Sequence, residues 1–457
     1  MKYKISYYLI GFMLAMNTHA NVTLPSMFSD RMVLQREADV LIWGWAGPFE
    51  KIEVTTSWDN NVYRDTADNH ANWSVKIQTP KAGGPYEIKI RGYNEILLSD
   101  VLVGEVWLCS GQSNMEWTPS AGMEGADEAI AKADHPMIRF FQTPKKTADA
   151  PQLEASGAWK TCTPETMKYF SAIGYSFGKD LNENLEGVPI GLISASWGGS
   201  PAEVWIPGAA IENDDRLKEG AGFIGEMDWS PSKPGKAYNA MISPLTSYKI
   251  AGVIWYQGES NAANPDYYQS MFETLITTWR EKWGYAFPFY FVQIAPYPYG
   301  GSDAGVKVRD AQRRVNLPHT GMVVISDIGD TTDIHPKKKM EVGERLARQA
   351  LKKHYGVLDE IVEGPVFEQL TIKKEKAILS FSNAAGLYLT NDEKLFEVAA
   401  EDQVFYPASQ SLKGGEVIVS SPQVKNPVYV RFAWGDTMLS NLFNEADLPA
   451  SSFSTNQ

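Results

Sequence analysis

The sequence predicts an α/β fold: a mostly parallel sheet with helices on both faces, flanked on each side by a β-rich region. Three observations carry this. From residue 101 onward, apolar runs alternate with amphipathic helical stretches, the signature of β–α–β units and hence of parallel strands. Before residue 101 and after residue 356 the text changes to short, often alternating runs separated by turn residues, as antiparallel sheets require. The chain has 457 residues, of which 44% are hydrophobic and 21% charged. That is enough core for two or three domains and excludes a disordered chain or a polytopic membrane protein.

In chain order, residues 1–20 read as an export leader. Lys2 and Lys4 precede a mostly apolar run from Ile5 to Met16, too short to span a bilayer comfortably, and Thr18-His19-Ala20 ends on a small residue at the expected cut. No cysteine follows the run, which argues against a lipid anchor. The mature chain is expected to be periplasmic or secreted, with no membrane insertion once the leader is removed. Residues 21–100 form an N-terminal β domain, with strands expected at 40–45, 51–55, 73–77 and 86–90, parted by turns such as Asp59-Asn60-Asn61 and Gly83-Gly84-Pro85. Residues 101–356 are the α/β domain. Its strands are expected at 103–108, 191–195, 252–256, 289–294 and 322–326, and its helices at 167–185, 265–283, 306–314 and 337–354. Tyr268, Phe272, Leu275, Ile276 and Trp279 share one face of the second helix. Residues 357–457 return to β, with strands at 369–373, 377–381, 417–420 and 428–432. The Lys337-Lys338-Lys339 run reads as a solvated helix start.

Charge and cysteine usage narrow the function. A net charge of -13 argues against nucleic acid or an anionic membrane surface as partner. Cys109 and Cys162 are the two cysteines; export permits a bridge, but a pair of inert buried thiols is the preferred reading. No His-x-x-x-His or clustered-cysteine pattern asks for a metal, and no cofactor is called for.

Parallel sheets bind ligands beyond the carboxyl ends of their strands, so the strand ends hold the candidate chemistry. In Val106-Trp107-Leu108-Cys109-Ser110-Gly111-Gln112-Ser113-Asn114-Met115 an apolar strand ends in a glycine, and a serine follows one residue later. A buried strand fixes the backbone, glycine permits a tight turn, and the hydroxyl emerges at the sheet edge. The motif is not the Gly-x-Ser-x-Gly elbow, because Met115 stands where the last glycine belongs. Of six histidines, His19 leaves with the leader, His70, His135 and His319 sit in turns or beside prolines, and His354 ends a helix. His335 alone follows a strand running into a loop, with Asp327, Asp330 and Asp333 nearby to orient an imidazole. Ser196-Trp197-Gly198-Gly199 ends another strand with paired glycines, whose backbone N–H groups can reach a substrate oxygen. A further strand ends in Gln257-Gly258-Glu259-Ser260-Asn261, side chains suited to polarising a carbonyl or holding a sugar.

Gly104 to Trp117, Gly191 to Pro207, Tyr238-Asn239-Ala240-Met241, Gly252 to Asn261 and Asp333-Ile334-His335-Pro336 together resemble the SGNH (GDSL-like) hydrolases, and more narrowly their sialate O-acetylesterase branch. The resemblance spans nearly the whole mature chain. It implies a flavodoxin-like SGNH domain and an exported serine esterase removing O-acetyl groups from carbohydrate, most often sialic acid. An acetyl xylan esterase or other polysaccharide deacetylase is the alternative. It makes Ser113 the nucleophile, His335 the general base, and the N–H groups of Ser113 and Gly199 oxyanion donors. Two departures matter. Gly258-Glu259-Ser260-Asn261 replaces Gly-x-Asn-Asp, so Gln257 or Asn261 is expected to supply the side-chain oxyanion donor. Thr332 stands where Asp-x-x-His would place the acid, so Asp333 is expected to orient the histidine, with Asp330 in reserve and Glu259 as a possible helper. Gln112, Trp197 and Glu259 are candidate substrate-binding residues, and Trp205, Trp255 and Tyr256 are candidates for an apolar wall, although core packing suits at least half of these aromatics. Two other classes compete. A two-carboxylate glycoside hydrolase built on Glu259 and an acid such as Asp330 or Asp333 would release reducing ends. A carbohydrate-binding protein without catalysis would release nothing.

Overall fold

The computed structural model describes residues 21–301 and 303–456; the expected leader lies outside the described residues. Its centre is a mixed sheet containing β1 (Glu95–Gly111), β2 (His135–Gln142), β3 (Lys160–Cys162), β4 (Ile190–Ser196), β5 (Gly252–Tyr256), β6 (Phe289–Val292) and β7 (Thr320–Val323). The spatial order is β7-β6-β5-β1-β4-β2-β3, and every neighbouring pair is parallel except β2 and β3. Every residue of β4, β5 and β6 is buried, which is why those segments read as continuous runs without a charged residue.

Five helices matter for the site: α1 (Ser113–Glu116), α2 (Ala172–Asn184), α3 (Tyr268–Trp283), α4 (Ala304–Arg313) and α5 (Lys339–Lys353). They cover both faces of the sheet. Trp107 of β1 meets Phe177 of α2 at 4.9 Å between ring centroids. Trp255 of β5 is in register with Ser110, three residues beyond Trp107 and so on the opposite face. It meets Phe272 and Trp279 of α3 at 6.1 and 5.8 Å. The aromatic stripe read from the sequence is therefore the seam between α3 and the sheet.

β1 is the spine of the molecule. Its first half pairs antiparallel with Gly83–Arg91, its middle runs parallel to Val33–Gln35, and its second half lies between β4 and β5. The boundary expected after residue 100 thus falls inside one strand, and a single core runs from Val22 to Leu351. The C-terminal β-sheets have a second core, from Ala377 to Phe453. They are tied to the first by the buried Arg309 of α4, which donates to the carbonyls of Gly435 at 2.6 Å and Asp436 at 3.1 Å.

Strand β2 was not expected. It begins His-Pro, and only Ile138 to Phe141 are buried, too short an apolar run to stand out. Cys109 and Cys162 are free and buried, and burial pushes the Cys162 thiol up to about 12.

The end of β1 fixes the site. Gly111 has φ +138°, and a Cβ there would lie 2.1 Å from the Tyr256 carbonyl oxygen. Only glycine lets the chain pass so close to β5, and the next N–H, of Gln112, donates to that same oxygen at 3.0 Å. The chain then turns into α1 with Ser113 as its first residue.

Candidate active site

Ser113 Oγ and His335 Nε2 lie 2.9 Å apart, although 222 positions separate them. The serine is carried by the turn after β1 and the histidine by the loop between β7 and α5. Trp117, just past α1, stacks on the imidazole with centroids 4.3 Å apart and planes 24° from parallel, which fixes the ring's orientation. Burial, followed by the nearby Lys339 and Lys337, holds the imidazole below its ordinary value, against the opposing pull of Asp333. A general base works in its neutral form. The acid limb of kcat/KM is therefore expected below the value of about 6.5 at which a free imidazole titrates. A pH–rate profile with that limb at 7 or above would contradict this electrostatic reading.

Among the three acids near His335, Asp333 is nearest. Its Oδ1 lies 3.9 Å from Nδ1, longer than a hydrogen bond, and instead accepts the backbone N–H of His335 at 2.9 Å. Its Oδ2 pairs with Lys337 at 3.0 Å. Asp330 caps its own loop, accepting from Thr332 and from the Asp333 N–H. Asp327 is held by Arg345 at 2.5 Å. Asp333 thus acts on the imidazole through its field and through the backbone turn.

The four candidate oxyanion donors divide sharply. As the first residue of α1, Ser113 has an N–H with no acceptor within its helix. Gly199 has φ +74°, and its N–H has no hydrogen-bond partner among the described residues. The neighbouring Gly198 N–H is occupied by Glu116 Oε2 at 2.7 Å, and Glu116 in turn pairs with Lys145. Gln257 and Asn261 face away from the serine, into a buried amide network. Gln257 Nε2 donates to Asn261 Oδ1 at 2.7 Å and to the Ser200 carbonyl at 3.3 Å. Asn261 Nδ2 donates to Glu203 at 3.0 Å and to Asn264 at 2.9 Å. The structure does not bring these two amides to the site, because every donor they own is already satisfied inside.

A cavity of about 300 Å³ is lined by Ser113, His335, Gly198, Gly199, Ser260 and Ile334 together with Gln112, Glu259 and Trp229. Gln112 is buried, and its Oε1 accepts from the Gly258 N–H at 3.3 Å and the Ser260 N–H at 3.4 Å. It ties the β1 turn to the β5 loop. Trp205, Trp255 and Tyr256 are wholly buried core residues. Trp197 is half-buried, and its indole N–H donates to the Trp229 carbonyl at 3.1 Å.

Behind the serine Glu259 enters a network with Asn114 and Lys339, two residues that sequence reading gave no role. Glu259 Oε1 accepts from Asn114 Nδ2 at 2.6 Å, and the same amide donates to the Ile334 carbonyl at 3.0 Å. On its other side Asn114 Oδ1 accepts from Lys339 Nζ. Lys339 is 1% exposed, so the lysine run is not wholly the solvated helix start expected. Burial pushes the Lys339 amine down to about 7 and raises Glu259. No local signal marks Lys339, since its burial depends on a contact 225 positions away. Trp229 had a faint one: a lone tryptophan in Asp228-Trp229-Ser230-Pro231, without a periodic apolar partner.

Comparison with known proteins bears on the family of the chain. The family model described as carbohydrate esterase, sialic acid-specific acetylesterase, matches residues 103–352. The sialate O-acetylesterases of Homo sapiens and Pongo abelii are each 32% identical over 416 residues, covering 82% of this chain and 79% of their own. The crystal structure of a carbohydrate acetylesterase from Xanthomonas citri is 37% identical, with a TM-score of 0.87, covering 95% of this chain and 100% of that one. The resemblance read from the strand-end blocks, the shared architecture and the family match point one way: the chain belongs to the sialic acid-specific acetylesterase family of carbohydrate esterases.

Proposed function

We propose that this protein is a carboxylic ester hydrolase that removes acetyl groups from O-acetylated carbohydrate through an acetyl-serine intermediate. The observation that carries the reading is the 2.9 Å contact between Ser113 Oγ and His335 Nε2 beside two backbone N–H groups with no hydrogen-bond partner among the described residues. Ser113 Oγ attacks the acetyl carbonyl carbon while its proton passes to Nε2 of His335. The oxyanion is met by the N–H groups of Ser113 and Gly199. Collapse breaks the ester bond, and the sugar oxygen leaves with the proton from His335. Water, deprotonated by His335, then attacks the acetyl-serine; the Oγ–acyl bond breaks, Ser113 Oγ takes the proton back from His335, and acetate departs. Asp333 is the acid of the triad, stabilising the imidazolium across 3.9 Å.

The strand order supports the finer fold reading. With the β2–β3 hairpin set aside, β4-β1-β5-β6-β7 is the flavodoxin-like order 2-1-3-4-5 in chain sequence. An SGNH domain with Ser113 at its switch point fits that order. The leader-like residues 1–20 support export to the periplasm or medium. The names of the human and orangutan relatives favour O-acetylated sialic acid as substrate, with acetylated plant glycan such as xylan as the competing class.

Acetate release from a panel of O-acetylated sialosides and acetylated xylans tests the reading. Acetate is expected from at least one class, without new reducing ends. Reducing ends without acetate would replace it with glycoside hydrolysis, and binding with neither product would make the chain a lectin.

A further inference from the structure

Fourteen tryptophans occur in the sequence, and among the described residues Trp229 alone is classed as exposed, at 65%. It stands on the wall of the Ser113 cavity. Its six-membered ring lies against Gly199: a Cβ on that glycine would fall 2.1 Å from Cζ3 and 2.2 Å from Cη2. The ring thus borders the residue whose N–H faces the developing oxyanion. Among the described residues its indole stacks on no other aromatic ring and its Nε1 makes no hydrogen bond. A large apolar plane in water, beside a nucleophile, marks a surface made to be covered by a ligand.

The loop is anchored to the catalytic turn. The Trp229 carbonyl accepts from Trp197 Nε1 at 3.1 Å, and the Trp197 N–H donates to the Gly111 carbonyl at 3.0 Å. Two hydrogen bonds therefore connect the loop bearing the exposed indole to the residue that turns the chain toward Ser113. This gives Trp197 a supporting role and leaves Trp229 as the surface that meets substrate.

On the reading of the site as a carbohydrate esterase, we infer that Trp229 is the platform for the acetylated sugar, its indole stacking on the C–H face of a pyranose whose ester carbonyl lies between Ser113 and Gly199. A pyranose chair presents axial C–H groups on one face and hydroxyls around its edge. An indole complements the first without desolvating the second. Stacking of this kind reads ring shape and not charge, so it serves neutral and acidic pyranosides alike.

The test compares two acetyl esters, an O-acetylated methyl pyranoside and ethyl acetate, which has no ring to stack. Trp229→Ala is expected to lower the ratio of kcat/KM for the pyranoside to that for ethyl acetate at least tenfold, chiefly through KM. Trp229→Phe should restore most of the ratio. In a Ser113→Ala background, calorimetric binding of the acetylated pyranoside should weaken by a similar factor when Trp229→Ala is added. An unchanged ratio, or an equal fall for both esters, overturns the platform while leaving the esterase reading intact. Wild-type enzyme that hydrolyses ethyl acetate but no acetylated sugar overturns both.

Discussion

Ser113→Ala is expected to lower kcat/KM for 4-nitrophenyl acetate by about 10⁴-fold or more, because it removes the atom that forms the acyl bond. His335→Ala should fall nearly as far. The two groups act as one unit at 2.9 Å: without a base the hydroxyl keeps its proton, and without the hydroxyl the base has nothing to deprotonate. The double variant should therefore be scarcely worse than either single one, a gross departure from additivity. The readout is steady-state kinetics on all three proteins, together with loss of the 4-nitrophenolate burst in Ser113→Ala. Retention of wild-type turnover by Ser113→Ala would remove the nucleophile from the account altogether.

Asn114→Asp should be the next most damaging change, although Asn114 need not touch substrate. The orientation of its amide is dictated by charge. Protonated Lys339 donates to Oδ1, and the Ile334 carbonyl, which can only accept, takes one hydrogen of Nδ2 while Glu259 Oε1 takes the other. Asn114, the residue after Ser113, is thereby tied to Ile334, the residue before His335. In Asn114→Asp, a carboxylate oxygen would confront Glu259 Oε1 and the Ile334 carbonyl with no proton between them, in a buried setting where each loss is felt in full. The His335 loop would then be freed from the Ser113 turn. A displacement of about 1 Å costs on the order of 10²-fold in rate, so kcat should drop by at least that factor with KM little changed. Asn114→Ala, which adds no charge, should lose less. Kinetics on the two variants, with thermal melts to show that both are folded, decide it: wild-type kcat in folded Asn114→Asp would mean that the amide positions nothing.

Much of the site could be read from strand ends alone. Gly111 and Ser113 after β1, the paired glycines after β4, and His335 in the loop after β7 lie far apart in sequence, yet a parallel sheet sends all its strands out at one edge. Residue type plus topology was enough to bring them together. The same logic placed Gln257 and Asn261 at that edge but could not say which way they face. Their direction is set by Glu203, Tyr268 and Asn264, which absorb the amide hydrogen bonds from the far side. Nor could the text distinguish Lys339 from Lys337 and Lys338. Asn114 and Glu259 lie beside the first residue of α5, and burial follows from that contact.

What the sequence determined by itself was the alternation that makes a covered parallel sheet, the family to which its blocks belong, and the two residues that meet at the sheet's edge. These are written locally, in hydrophobic period and in the turns that glycine permits. Only the tertiary structure decided which polar groups face the cavity and which are consumed inside, that Asp333 Oδ1 stands 3.9 Å from the imidazole instead of bonding it, and that a tryptophan from an unremarkable loop lies against Gly199. The buried amides, Lys339 and Trp229 meet partners dozens to hundreds of positions away, while the gap between Asp333 and His335, only two positions apart, is set by the turn in which Asp333 accepts the His335 N–H. A hydrogen-bond donor or an indole carries no mark in the sequence of whether folding will satisfy it internally or leave it facing solvent.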